Sequence, residues 1–164
     1  MTKRVIAGAA AFGLFCLASG IAVAKDDGNF ESGIIGSTPG QTIAGVSSGG
    51  APWAVRDGEA SVGPSGRIEV EVKGLLLTTG APPALVGTTG PVANVAASLV
   101  CGGSGGTVVA STGGVPLSAA GNAEIEQAIP VPASCIAPVI LIRIFNATAA
   151  SPLGAFIAAS GFTD

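Results

Sequence analysis

Two pairs of glutamates stand at i, i+2 spacing in this chain, Glu69 with Glu71 and Glu124 with Glu126. Glycoside hydrolysis needs two carboxyls at a set separation, one as acid and the other as base or nucleophile. On an extended segment the i, i+2 spacing puts both carboxyls of a pair on one face, which is also the pattern of an ordinary solvated face. The companions that most reaction centres need are missing, because the 164 residues contain no histidine and no tyrosine. Ser-His-Asp and Cys-His triads are thereby excluded, with most zinc and copper sites built on imidazole. Asp26-Asp27-Gly28-Asn29 and Asp57-Gly58-Glu59 offer oxygen ligands to calcium, but neither has the pattern of an EF-hand loop. One tryptophan and six phenylalanines give little from which to build a sugar platform. The expectation is a protein that is not an enzyme and holds no cofactor or metal.

Two single residues are candidates for binding. Trp53, following Pro52, is either a core plug or an exposed anchor, with the core favoured. Arg143 interrupts the aliphatic run Ile140-Leu141-Ile142 and Ile144-Phe145, and a charge there is costly unless partnered. It is expected on the outer face of its strand, or paired with Glu124 or Glu126; the alternative is contact with a ligand or partner. Asn146-Ala147-Thr148 matches a glycosylation sequon, a triplet frequent by chance.

The cysteines set the compartment. Residues 1–24 read as a signal peptide, with Lys3 and Arg4 at the head, an apolar stretch Val5 to Val23, and a small-residue exit at Ala22-Val23-Ala24. The stretch is long enough to span a bilayer, but its many Ala and Gly residues favour cleavage over retention as an anchor. A lipid anchor at Cys16 is disfavoured by the bulky Phe15 before it. Cys16 leaves with the leader, so Cys101 and Cys135 remain as an even pair in an oxidising compartment and are expected to form a disulfide. They lack the Cys-x-x-Cys spacing of a redox-active pair. The expected destination is periplasm, cell surface or extracellular space.

Cleavage after Ala24 leaves 140 residues, enough for one domain. Five basic against ten acidic side chains then give a formal charge of −5, which argues against nucleic acid or an anionic membrane as partner. The longest apolar stretch outside the leader, Ile136 to Phe145, is too short for a membrane helix and carries Arg143, so no transmembrane segment is expected in the mature chain.

What must position these residues is a set of strands. Residues 25–50 are rich in Gly, Ser and Thr and read as a flexible lead-in that donates at most one edge strand. From 51 to 164, short β-branched runs recur between turn residues about every ten positions, the rhythm of a sandwich. Trp53 to Val62 reads as a strand with an irregularity at Gly58. Arg67 to Leu77 is the clearest, with Ile68, Val70 and Val72 alternating against Arg67, Glu69, Glu71 and Lys73. Further strands are expected at Val92 to Cys101, Thr107 to Ser111, Asn122 to Val131, Pro138 to Phe145 and Gly154 to Phe162. Of these, Pro138 to Phe145 is apolar enough to be central and covered on both faces. The expected fold is all-β, an antiparallel immunoglobulin-like sandwich of seven or eight strands tied by one disulfide.

The runs Gly58-Glu59-Ala60, Gly66 to Val72, Gly74-Leu75 and Ser98 to Gly103 resemble those of small secreted bacterial proteins of uncharacterised role, over about residues 50 to 163. More faintly, their rhythm is similar to that of the CHRD domain, a β-rich extracellular module. The histidines that such domains carry after the Gly-Leu segment are absent here, so the resemblance implies fold and secretion but no metal or ligand role. Three functions remain: a secreted non-enzymatic module, structural or binding, of the envelope or extracellular space; a self-assembling surface subunit that donates residues 26–50 as a strand to another copy; and, least favoured, a carbohydrate-active enzyme using the paired Glu residues.

Overall fold

A computed structural model describes residues 29–161; the expected signal peptide at 1–24, Asp26 to Gly28 and Phe162 lie outside the described residues. The chain runs through β1 (Phe30–Gly36), β2 (Thr42–Ile43), β3 (Val46–Ser47), β4 (Trp53–Ala54), β5 (Asp57–Val62), β6 (Arg67–Lys73) and β7 (Leu76–Leu77). It continues through β8 (Asn94–Cys101), β9 (Thr107–Ser111), β10 (Val115–Pro116), β11 (Ala123–Ala128), β12 (Val139–Phe145) and β13 (Leu153–Ser160). Among the described residues no helix is long and apolar enough to cross a membrane.

Nine of these strands form one antiparallel sheet in the order β10-β8-β12-β13-β1-β5-β6-β11, with β9 also paired to β8. The sheet folds on itself at β1. Phe30 to Gly33 pair with β5, whereas Ile34 to Gly36 pair with β13, so one strand contributes to two layers. The first layer is β1-β5-β6-β11 and the second is β13-β12-β8 with β9 and β10. The fold is therefore an antiparallel all-β sandwich made from a single curled sheet.

Alternation decides which side chains enter the space between the layers. Ile68, Val70 and Val72 of β6 and Ile125 of β11 point inward to meet Leu99 of β8 and Ile140 and Ile142 of β12. Leu75, Leu77 and Trp53 belong to the same core, and Trp53 is 6% exposed, which makes it a core residue. A second apolar cluster, Val100, Leu141, Phe156 and Ala159, lies on the opposite side of the second layer, under Ile43 and Val46 of the β2–β3 hairpin. The two turn residues of that hairpin, Ala44 and Gly45, both have positive φ (51° and 75°), the type I′ geometry that matches strand twist. β12 is thus central and covered on both faces, as its aliphatic run predicts.

Residues 30–50 depart from the expected flexible lead-in. β1 is interior, not an edge, because its residues satisfy backbone groups of both layers, and the hairpin that follows seals the second cluster. Two of the expected strands are also divided. Trp53 to Val62 breaks between β4 and β5 rather than at Gly58, which is in regular register with Val72. Arg67 to Leu77 breaks at Gly74, whose φ of +67° turns the chain out of extended conformation.

Cys101 and Cys135 form the disulfide, with their Cα atoms 5.0 Å apart. It ties the end of β8 to the long connection by which the chain passes from the edge of the first layer to the middle of the second. The loop it closes has 34 residues of sequence separation. Replacing both cysteines by serine is expected to cost about 3–4 kcal/mol on the chain-entropy account, read as a lower denaturant midpoint, with a similar drop when the wild type is unfolded under reductant. Gly36 is the second point of constraint, since a Cβ there would strike the Trp53 carbonyl where β4 crosses β1. Gly36→Ala is expected to destabilise by roughly 1–3 kcal/mol; an unaltered melting curve would show that β4 yields freely.

Candidate acidic face of the first layer

Residues that alternate with the core point to solvent from the first layer. On β6 these are Arg67, Glu69, Glu71 and Lys73; on β11, Glu124 and Glu126; on β5, Asp57, Glu59 and Ser61; and on β1, Glu31. All seven carboxylate side chains among the described residues belong to these four strands. Register then sets them beside one another. Glu59 faces Glu71 and Glu71 faces Glu124, while Ser61 faces Glu69, Glu69 faces Glu126, and Glu31 faces Ser61. Neighbouring strands lie about 4.8 Å apart, so the carboxylates form two rows across the sheet. Between them is an open trough of about 480 Å³ whose polar side chains are Asn29, Ser61 and the six glutamates.

Directly opposed like charges destabilise a strand pair, and here three such pairs occur. Two cations offset part of the repulsion. Arg67 donates from Nε to Glu69 at 2.5 Å and from its terminal nitrogen to Glu126, bridging β6 and β11. Lys73 reaches Glu71 at 2.6 Å, and that bond raises the lysine above its ordinary value of 10.5. The side chains of these bridges are about half exposed, so each adds little stability. No such bridge forms to Glu31, Glu59 or Glu124 among the described residues. Glu59 responds to its neighbours: a hydrogen bond with the Glu31 carboxyl, then the charge of Glu31, raise it above the ordinary 4.5, with burial, Asp57 and Glu71 adding in the same direction.

This raised carboxyl is one that sequence reasoning did not anticipate. The alternation Glu59-Ala60-Ser61-Val62 was available as a signal, but the sequence does not say which strands are neighbours. It likewise leaves hidden that Glu69/Glu71 and Glu124/Glu126 belong to one surface. Of the calcium candidates, Asp57 and Glu59 lie on this face with Asp57 opposite Lys73. Among the described residues no three potential ligands converge on a point that would hold a metal ion.

Arg143 is elsewhere. It lies in the second layer, opposite Ala96 and Phe156, and donates to the Gly154 carbonyl at 2.8 Å and the Leu153 carbonyl at 3.0 Å. Partial burial pulls it below the ordinary guanidinium value, but a guanidinium stays charged at physiological pH. The expected outer-face position holds, and the partner is not Glu124 or Glu126 but β13 backbone at the irregular register between β12 and β13. Trp53, Arg143 and the carboxylates therefore do not share a pocket. No protein-family model, curated protein or solved structure matches the chain.

The Glu31–Glu59 pair yields a pH prediction. A carboxyl whose folded value exceeds its unfolded one contributes stability that is complete below the unfolded value and lost as pH rises through the folded value. At neutral pH Glu59 is ionised against Glu31, Asp57 and Glu71, so Glu59→Gln is expected to raise the melting temperature there. The gain should vanish by about pH 4, where the native carboxyl is protonated. Thermal melts of both proteins across pH 4 to 8 read the difference, and a pH-independent offset would show that the Glu31 contact is not what raises Glu59.

Proposed function

We propose that this is an exported, non-enzymatic β-sandwich module that acts in the cell envelope or extracellular space by presenting a binding surface. The observation that carries the reading is the acidic face, a broad open trough whose polar side chains are carboxylates with one hydroxyl and one amide. A general base or nucleophile needs a partner to activate it and a desolvated setting in which a small charge shift matters. The chain has no histidine or tyrosine to serve as that partner. The face is open to water, and its cations are already bonded to neighbouring glutamates. Export is supported by the leader-like first 24 residues and by a disulfide, a cross-link that persists in oxidising compartments. The resemblance to small secreted bacterial proteins agrees with this destination.

One observation favours a second reading, a carbohydrate-active enzyme. Glu59 is raised and sits beside another carboxyl, and an acid with a raised pKa next to a second carboxylate is what glycoside hydrolysis uses. Against it, the face carries no aromatic platform, since Trp53 lies in the core between the layers. The third reading, a strand donated from residues 26–50 to another copy, is weakened because β1 already pairs on both sides within its own chain.

The purified oxidised protein is expected to show no turnover on panels of glycan, ester and peptide substrates. Turnover abolished by Glu59→Gln, Glu69→Gln or Glu124→Gln would overturn the non-enzymatic reading. Fractionation of the producing cells is expected to find the chain outside the cytoplasm, starting at Lys25 and with no free thiol.

A further inference from the structure

We infer that Asn146 is the acceptor of an N-linked glycan, added as the chain leaves the cytoplasm; the inference goes beyond the binding-module reading and rests on its export part. The sequence carries one Asn-x-Thr triplet, Asn146-Ala147-Thr148. The other three asparagines, Asn29, Asn94 and Asn122, are followed two residues on by Glu31, Ala96 and Glu124, so none of them has the hydroxyl that such a site requires. A triplet of this kind arises easily by chance, and the evidence that it is a site comes from where the fold puts it.

Asn146-Ala147-Thr148 opens the turn between β12 and β13. Asn146 to Pro152 are all exposed. They lie at the end of the sandwich opposite the disulfide, because β12 starts beside Val100 of β8 and finishes beside Val95. The base of the turn is held in place: the Asn146 N–H donates to the Pro152 carbonyl at 2.8 Å, and the Asn146 carbonyl accepts from the Ala149 N–H at 3.1 Å. Just beyond, the Arg143 guanidinium holds the returning strand by the Leu153 and Gly154 carbonyls. No side chain from Asn146 to Pro152 belongs to either apolar cluster. A bulky, hydrated substituent here would displace nothing that stabilises the domain.

The two functional groups of the triplet are already in contact. The Asn146 Oδ1 accepts from the Thr148 N–H at 3.1 Å, an Asx turn, and from the Thr148 hydroxyl at 2.8 Å. The carboxamide oxygen is thereby tied to its own turn, while Nδ2 makes no hydrogen bond among the described residues. The atom that a transferase must reach is left free, on an exposed turn, with the required hydroxyl beside it. The donor would be an oligosaccharide carried on a lipid diphosphate. A bond forms from Nδ2 to the anomeric carbon, and the bond from that carbon to the diphosphate oxygen breaks. Its electron pair leaves with the diphosphate, and one Nδ2 proton passes to a base of the transferase.

The test uses the full chain with its own leader, recovered from outside the cytoplasm of the producing cells, beside Asn146→Gln, Thr148→Ala and Thr148→Ser. Mass spectrometry of the tryptic peptide that follows Arg143 is expected to show an added oligosaccharide, released by peptide:N-glycosidase with conversion of Asn146 to aspartate. The increment should be lost completely in Asn146→Gln and Thr148→Ala and kept in Thr148→Ser, with melting curves verifying that the variants are folded. An exported chain with a bare Asn146, sugar on Thr148 or Ser151 instead, or modification of Asn146 that survives Thr148→Ala would each overturn the inference and leave the export reading standing. A chain held in the cytoplasm with residues 1–24 attached overturns both.

Discussion

β1 is the strand on which the architecture depends, because its first four residues close the register of one layer and its last three close that of the other. Everything downstream inherits its geometry from that division. With β5 and β13 held at successive halves of one strand, the sheet cannot lie flat and must curl, and curling brings the apolar faces of β6 and β8 together. The apolar area then removed from water is what stabilises the domain. The disulfide acts on the same constraint from the far side, shortening the unfolded-state freedom of the connection that carries the chain from β11 to β12.

Apart from Trp53, the core between the layers is built without large residues. Phe156 is the largest fully buried side chain, and it lies in the second cluster, not between the layers. A core of Val, Ile, Leu and Ala gains its dispersion energy from many small contacts, which places a premium on close approach. Gly36 beneath the Trp53 carbonyl and Gly114 against the Phe145 ring are points where any side chain would hold neighbouring segments apart. Close packing of this kind also leaves the outer face of the first layer free to carry charge, since none of its outward residues is needed for the core.

That face carries an electrostatic load that the fold tolerates rather than uses. Arg67 and Lys73 relieve it at three glutamates, and protonation of the raised Glu59 carboxyl relieves it further as pH falls. The opposite pattern holds on the second layer, where the lone Arg143 is satisfied by backbone carbonyls and the remaining surface is small or apolar under the hairpin. The sandwich is thus polar in two senses: one side is sealed by its own chain and the other is open and negative.

Local pattern alone determined a good deal here. Period-two alternation located β6, β11 and the outward glutamates, the aliphatic run located β12, and the arithmetic of the cysteines gave the disulfide, because each of these is written in a few consecutive residues or in a count. The absence of histidine and tyrosine limited the chemistry in the same way, since a side chain that the composition lacks cannot be supplied by folding. Register and neighbourhood were another matter. Residues 30–50 are too rich in Gly and Ser to announce strands, and β1 becomes one because two layers offer it partners on both edges. Glu31, Glu59, Glu71 and Glu124 come from four strands spread over more than half of the chain. Only the tertiary pairing of β1 with β5, β5 with β6 and β6 with β11 makes them one surface, since a strand's sequence states which way its side chains alternate but not which strand will lie beside it.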